Sequence, residues 1–482
     1  MSNALGWVLG KSNTLQQSVR SSNPAEAALG RTSELLPLEP DPNVDIVQRK
    51  CTSVATASFT ISLESVPEPY IPHVDSRAYT YELPPERIAQ HPLPVRDESK
   101  LLVADARTHT ISHHKFYELP ALLPEGSFLV RNTTRVLPAR IVARKPSGGH
   151  VELLLIAPSD GTAPAEALMQ SKSTWKCMIG GRRIRAGMTI EVLSNDRGIT
   201  ARILDVAEML ATVELTAQPE TSSIAEQLLH LGNVPLPPYI RREPTAEDLE
   251  RYQTIYAQIE GSVAAPTAGL HFTERVLDAL SRNGVEILDV VLHVGPGTFQ
   301  PLRSENAAQH TMHAERILVE RSTIARLREL VAERNRFCVC VGTTSVRTVE
   351  SLYWFGARLV VDPSVPPQHL KQQEPYLPKL LERTIPAEHA LDALLDWLDR
   401  SGVSTLEAST QLYILPGYRS RIVEGMITNF HQPQSTLLLL VAAFIGPWWQ
   451  TIYHEALSNN YRFLSYGDAS LLIAPRTTAA SR

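Results

Sequence analysis

The sequence predicts an α/β fold interrupted by a small β domain, and two changes of texture carry that prediction. Over residues 79–140, and again from 235 onward, short apolar runs alternate with helical patterns and with turns rich in glycine or hydroxyl side chains. Between 141 and 234 the pattern shifts to short alternating runs set off by Gly, Pro, Ser and Asp. Regular short strands of that kind belong to a small barrel or sandwich. At 482 residues the chain exceeds one ordinary domain, and 43% apolar residues suffice for a sizeable core. The expected division is a poorly ordered N-terminal extension over 1–76, a discontinuous α/β domain over 77–140 and 235–482, and the inserted β domain over 141–234.

The extension is rich in Ser, Asn, Pro and Thr and lacks periodicity; Thr52–Leu63 alone has strand character. Lys11, Arg20 and Arg31 precede most acids, as in a transit peptide, but Glu26 and Glu34 come early and no amphipathic pattern supports targeting. Organised sequence starts near Tyr79. Tyr81–Pro92 reads as a short helix opened by prolines, and Leu101–Ala104 and Phe128–Arg131 read as strands. The exit of the second strand, Asn132–Arg140, holds Asn, two Thr and two Arg, a composition equally suited to a polar ligand and to a turn with surface arginines.

In the β domain the strand runs are Val151–Ile156, Trp175–Ile179, Met188–Leu193, Ile199–Val206 and Ala211–Leu215. Gly180–Gly187 places Arg182, Arg183 and Arg185 in one turn, which Arg140, Arg144, Lys145, Arg241 and Arg242 could join. A solvated turn is the simpler account of these charges. A proline-rich linker, Val234–Arg242, leads to a predicted helix over Glu247–Tyr256. A helix over about 322–335 precedes a buried strand, Phe337–Val341, whose alternation sends Cys338 and Cys340 to one face. Gly342–Thr348 then forms a hydroxyl-rich turn that offers backbone N–H groups to a carboxylate or phosphate. Residues 356–410 read as an insertion with a loop (Pro363–Gln373) and a helix (Ala387–Leu398), and show no chemistry. The rest reads as a hairpin over Arg421–Phe430 turning at Glu424–Gly425, a buried helix Leu437–Gly446, a helix from Pro447 and a loop Leu464–Asp468.

The stretch most suited to chemistry is Gly261–Glu315, with His271, His293, His310 and His313. Thr273 can cap a helix that stops at Asn283–Gly284. In the strand Val285–His293, Asp289 and His293 share one face. His293 stands at the carboxyl end, where ligands of α/β sheets collect, just before Gly295–Pro296–Gly297. A structural and a functional histidine fit that position equally. His310-x-x-His313-x-Glu315 suits hydrogen bonding or acid–base work better than a metal site, for want of further ligands.

Net charge is −5, so any nucleic acid must meet a local basic patch. The four cysteines are scattered, as in a reducing cytosol. No apolar run approaches the ~20 residues that span a membrane. No G-x-G-x-x-G opens a βαβ unit, and neither a P-loop nor a G-x-S-x-G elbow occurs.

Ten motifs in a fixed order do carry a resemblance. They are Ile88-Ala-Gln with Arg96-Asp97, Asn132-Thr-Thr-Arg-Val, Pro235-Leu-Pro-Pro-Tyr-Ile, Arg251-Tyr-Gln-Thr, Ala264-Ala-Pro-Thr-Ala-Gly-Leu-His-Phe-Thr, Leu292-His-Val-Gly-Pro-Gly-Thr-Phe, His310-Thr-Met-His-Ala-Glu, Gly342-Thr-Thr-Ser-Val-Arg, Thr428-Asn-Phe-His and Tyr461-Arg-Phe-Leu-Ser-Tyr-Gly-Asp. From about Tyr79 to Ile473, apart from 356–410, the chain resembles the S-adenosylmethionine:tRNA ribosyltransferase-isomerase family of queuosine biosynthesis.

The resemblance implies an α/β domain with an inserted β-barrel. It implies S-adenosylmethionine as ribosyl donor, no metal, and a tRNA with a GUN anticodon carrying 7-aminomethyl-7-deazaguanine at the wobble position. The product would be epoxyqueuosine, with adenine and methionine leaving. A cytoplasmic monomer with no membrane contact is expected. The sulfonium acidifies the ribose C5′ hydrogens, and adenine needs a proton to leave. The implied acid–base pool is His271, His293 and His313, on imidazoles of near-neutral pKa, with Glu315 and Asp289 as orienters. Arg135 and Arg347 would hold the methionine carboxylate or a phosphate. Thr267, Gly295, Gly297, Thr343 and Thr344 would line the substrate site, and Asn429, His431 and Asp468 would contact adenosine. Arg182, Arg183 and Arg185 would meet tRNA phosphates.

The chain departs from the family pattern at Thr133 (for N-D-T-R), at Pro296 and Gln300 (for V-G-A-G-T-F-R) and at Gln432 and Gln434 (for L-P-K-S-T). The alternative is therefore a tRNA-binding paralogue without catalysis. A methyltransferase using the same donor lacks its glycine fingerprint.

Overall fold

The computed structural model describes residues 71–475, apart from 146–147, 163, 195–196, 296–301, 303 and 334. The expectations for 1–70 and for Pro296, Gly297 and Gln300 fall outside the described residues. The strands of the main body are β1 (Lys100–Asp105), β2 (Thr110–Lys115), β3 (Ser127–Asn132) and β4 (Thr134–Val136). The inserted domain holds β5 (Arg140–Arg144), β6 (His150–Pro158), β7 (Lys172–Gly181), β8 (Thr189–Ser194), β9 (Arg197–Ala207) and β10 (Leu210–Gln218). The main body resumes with β11 (Ile259–Ser262), β12 (Glu286–Leu292), β13 (Glu315–Glu320), β14 (Phe337–Val341), β15 (His369–Leu370), β16 (Thr405–Thr410), β17 (Gly425–Asn429) and β18 (Ala469–Ile473).

Ten strands make one mixed sheet in the order β15-β16-β13-β12-β3-β14-β17-β18-β1-β2. Its centre, β12-β3-β14-β17, is parallel, and β13 and β18 run against it on either side. The alternation of side chains sorts two apolar layers. Leu102, Ala104, Phe128, Val130, Cys338, Cys340 and Leu472 face the helices Arg321–Ala332, Thr343–Val361, Ala387–Ser401, Thr436–Ile445 and Trp449–Ser458. Leu101, Val103, Leu129, Val339, Ile427 and Leu471 face Phe116, Phe272 and the helix Glu274–Arg282. Strands buried on both faces need apolar residues at every position, which is why the parallel centre reads as continuous apolar runs.

The inserted strands close into a barrel, β10-β7-β6-β5-β8-β9, and one strand face of each supplies its core: Ile141, Leu153, Trp175, Cys177, Ile190, Ile199 and Val213 are buried there. Arg140 and Asn233 exchange backbone hydrogen bonds where the chain enters and leaves it.

Three local expectations are corrected. Tyr81–Pro92 forms a single 3-10 turn, Pro85–Arg87, because Pro84 and Pro85 fix extended and first-turn geometry and Ile88 then bridges to Phe463. Glu247–Tyr256 yields one helical turn, Asp248–Arg251. Arg421–Phe430 is no hairpin: the N–H groups of Arg421, Ile422 and Val423 converge on the Glu350 carboxylate, and β17 alone follows. The stretch 356–410 is also woven into the main body. The helix Thr343–Val361 runs across its start, and β15 and β16 extend the main sheet.

The helices over Thr436–Ser458 are apolar enough and long enough to cross a membrane by composition alone, with mean hydropathy 1.4. Here Leu438, Leu439, Val441, Ile445, Ile452 and Tyr453 are instead buried against the core.

Candidate active site

The sheet brings most of the predicted residues to one edge. At the carboxyl ends of β12, β3, β14 and β17 lie His293, Asn132, Gly342–Thr344 and Asn429–His431. The antiparallel neighbours start there, which adds Glu315 from β13 and Asp468 from β18. β1, parallel to β18, starts at the same edge just after Ser99.

His271 ends the 3-10 turn Thr267–His271 and is buried against the Phe116 ring. Asn429 Nδ2 reaches its Nε2 at 3.3 Å and the Leu464 carbonyl at 3.2 Å, while Thr267 donates to Asn429 Oδ1 at 2.8 Å. His271 Nε2 therefore accepts, and Nδ1–H donates to Ser99 Oγ at 2.8 Å. Burial, reinforced by Arg462 and Arg96, pushes its pKa down to about 3. His271 is neutral with both ring nitrogens committed, so it organises Asn429 and Thr267 rather than titrating.

His293 makes a 2.9 Å bond between Nδ1 and Thr134 Oγ1, and its other ring nitrogen has no hydrogen bond among the described residues. Burial, followed by the Arg316 charge, lowers its pKa to about 4. Near-neutral imidazoles were expected at both positions; desolvation overrides that. Behind the ring lies Gly261, at φ +144, where a Cβ would stand 2.7 Å from His293 Cε1. Asn132 ties this corner together. Its Oδ1 accepts from the N–H of Thr134 and of Leu292, and its Nδ2 donates to the Leu292 carbonyl and to Thr344 Oγ1.

Glu315 and Arg347 form a buried ion pair, each about 5% exposed or less. Glu315 also accepts from Gly295 N–H at 3.3 Å, and Arg347 Nε donates to the Leu412 carbonyl at 3.0 Å. Arg347 Nη2 is buried without a hydrogen-bond partner among the described residues. Thr343 and Thr344, one turn earlier on the same 19-residue helix, sit at its N-terminus behind Gly342, at φ +86.

Of the other predicted residues, some are exposed or bound elsewhere, while His431 and Asp468 reach the edge but are engaged in internal hydrogen bonds. Asp289 is salt-bridged to Arg131, which lies over the Tyr256 ring; four residues, about 13 Å of strand, separate it from His293. It cannot orient that ring directly. His313 is exposed and Arg135 is exposed beside Glu260. His431 is buried against Thr428 Oγ1, its pKa lowered by burial to about 3. Asp468 accepts from the backbone of Lys100 and Arg462 and so braces the loop. Arg182, Arg183 and Arg185 are all exposed, and Lys145 holds the carbonyls of Arg182 and Arg183.

Among the described residues no group of three or more His, Cys, Asp or Glu side chains is gathered as metal ligands would be. A cleft of about 650 Å³ next to His310 is lined also by Thr311, His369, Gln372 and Gln411. Another of about 520 Å³ lies at Tyr81, Arg87, Trp449 and His454. Neither is lined by His271 or His293. Ser99 has no signal in the sequence, whereas Asn132 and Thr134 belong to the polar strand exit and Gly261 opens the histidine-rich stretch, without a role of their own there.

A family described as queuosine biosynthesis protein matches residues 76–472. The chain is similar to the S-adenosylmethionine:tRNA ribosyltransferase-isomerase of Thermotoga maritima, with 38% identity over 82% of this chain and 98% of that protein. It is similar to the protein of the same name from an Anaeromyxobacter species, with 40% identity over 82% and 97%. A solved S-adenosylmethionine tRNA ribosyltransferase from Thermotoga maritima is 30% identical, covering 82% of this chain and 100% of its own, at a TM-score of 0.40.

Proposed function

This chain belongs to the queuosine biosynthesis family of S-adenosylmethionine:tRNA ribosyltransferase-isomerases, and we propose that the sheet edge around His271, His293 and Arg347 is where that activity resides. The protein is a transferase-isomerase that moves the ribosyl group of S-adenosylmethionine to tRNA. The acceptor is 7-aminomethyl-7-deazaguanine at the wobble position of a GUN anticodon, and the protein works as a cytoplasmic monomer without a metal.

The observation that carries the site is the unpartnered Arg347 Nη2. A buried N–H left unpaired costs about 1–3 kcal/mol. Glu315 holds the other end of the same guanidinium, which fixes its plane. An incoming carboxylate, such as that of the methionine moiety, would satisfy Nη2 beside the helix N-terminus at Thr343–Thr344. His293 is the proton-transfer group. With Nδ1–H donating to Thr134, the free lone pair at Nε2 takes a proton from ribose C5′. The imidazolium so formed gives its Nε2 proton to the departing adenine and returns to the starting form, with Nδ1–H donating to Thr134 throughout. His271, Asn429 and Thr267 form a rigid polar wall, and Arg182, Arg183 and Arg185 meet phosphates from the barrel.

The full chain is incubated with S-adenosylmethionine and tRNA bearing the precursor base. Released adenine is the expected product; methyl transfer or silence would overturn the reading. His293→Ala should slow release strongly, and a near-wild-type rate would remove His293 from the chemistry.

A further inference from the structure

The segment His310–His313 has no regular structure between the 3-10 turn Ala307–Gln309 and β13, yet its backbone is held by two side chains. Gln372 Oε1 accepts from Met312 N–H at 2.8 Å, and Gln372 Nε2 donates to the His310 carbonyl at 2.7 Å. One amide thus takes the pair of groups a neighbouring strand would take. Gln411 Nε2 donates to the Met312 carbonyl at 2.8 Å. Because a backbone carbonyl only accepts and an N–H only donates, both amides have a single consistent orientation. Gln411 Oε1 then faces His369 Nε2 at 3.1 Å, so that nitrogen carries the ring proton and Nδ1 accepts from Ser409 Oγ at 2.7 Å.

His369, Gln372 and Ser409 lie in the stretch 356–410, in which the sequence shows no chemistry, and Gln411 follows it directly. β15 and β16 deliver them to the active edge, since Leu370 pairs with Thr410 and Thr410 with Glu315. His313 lies one residue beyond the clamped Met312 and two before buried Glu315, which Arg347 anchors. We infer that exposed His313, two residues before Glu315, meets substrate at that edge, and that Gln372 and Gln411 are positioning residues that fix His310–His313 and so its place. This rests on reading that edge as the active site.

The test uses the full chain with S-adenosylmethionine and precursor tRNA, reading adenine release for Gln372→Ala, His313→Ala and the double variant. Gln372→Ala should lower kcat about ten-fold, by misplacement alone, with KM for S-adenosylmethionine within about two-fold and the thermal midpoint near that of the parent. The double variant should be no slower than His313→Ala, because a residue acting through His313 has nothing left to lose. Gln411→Ala, which removes one bond of the three, should show a milder form of the same pattern, and it decides the matter if Gln372→Ala lowers the thermal midpoint. Wild-type kcat in both glutamine variants, or losses that multiply with His313→Ala, overturns the inference. Slow His313→Ala with normal glutamine variants overturns the clamp and leaves the site reading standing. A slow Gln372→Ala beside a normal His313→Ala overturns it as well.

Discussion

Replacing Gly261 by alanine tests the His293 corner most directly. The added Cβ would stand 2.7 Å from His293 Cε1 and 2.9 Å from both ring nitrogens. Carbon atoms in contact need about 3.5–4.0 Å, so the ring must retreat by about 1 Å. The Thr134 bond, now 2.9 Å, would then stretch past hydrogen-bond length. Overpacking of this kind costs about 1–3 kcal/mol in stability. A displacement of about 1 Å in a reacting group costs on the order of 100-fold in rate. Gly284 provides the control: it also has positive φ, at +70, but its Cβ would meet nothing within 4 Å. Gly284→Ala should therefore lose about 1 kcal/mol from backbone strain alone and keep its rate. Adenine release and thermal midpoints are measured for both variants. If Gly261→Ala keeps kcat within about two-fold of the parent, His293 is not held where the chemistry needs it, and the reasoning fails.

Arg347→Met should destabilise the protein by about 3–5 kcal/mol, because it strands the Glu315 carboxylate in a buried site; adding Glu315→Gln should restore part of that loss, read from urea unfolding midpoints. The buried imidazoles predict acid lability. His271, His293 and His431 have folded pKa values of about 3, 4 and 3, below the unfolded value of about 6.5. The folded state therefore binds fewer protons between those limits. Stability is fully present above pH ~6.5 and falls toward pH 3, by up to about 1.4 kcal/mol per pH unit for each histidine. His431→Gln should reduce the slope of unfolding free energy against pH by about one proton; an unchanged slope would count against a neutral buried imidazole. Replacing Arg182, Arg183 and Arg185 together by alanine should weaken tRNA binding and flatten its salt dependence by about two to three units of slope, measured by titration at several ionic strengths.

Local pattern made much of this architecture legible. The alternation at Cys338 and Cys340 gave their shared face, Thr273 and Asn283–Gly284 bounded their helix, and the short alternating runs marked the barrel. His293 at a strand end was readable for the same reason. What stayed hidden depends on partners distant in sequence. Glu350 draws the backbone of Arg421–Val423 out of a hairpin from 71 residues away. β13 and β16 pair across 85 or more residues, so a stretch that looked like an insertion is part of the sheet. Burial also lies beyond local reading: nothing around His271 in sequence announces Phe116, Ser99 and Asn429, which together make it neutral.

The position of β18 has a kinetic consequence. It lies between β17 and β1, so the hairpin β1–β2, made early, touches the sheet only through the strand made last among those described. During synthesis β1 exposes an unpaired edge while more than 360 residues are added. Docking it requires closing that long loop, a non-local step of the kind that slows folding and leaves a sticky edge open meanwhile. Asp468 and Ser99 reach the active edge in that same step, so the pocket comes into being together with the last strand.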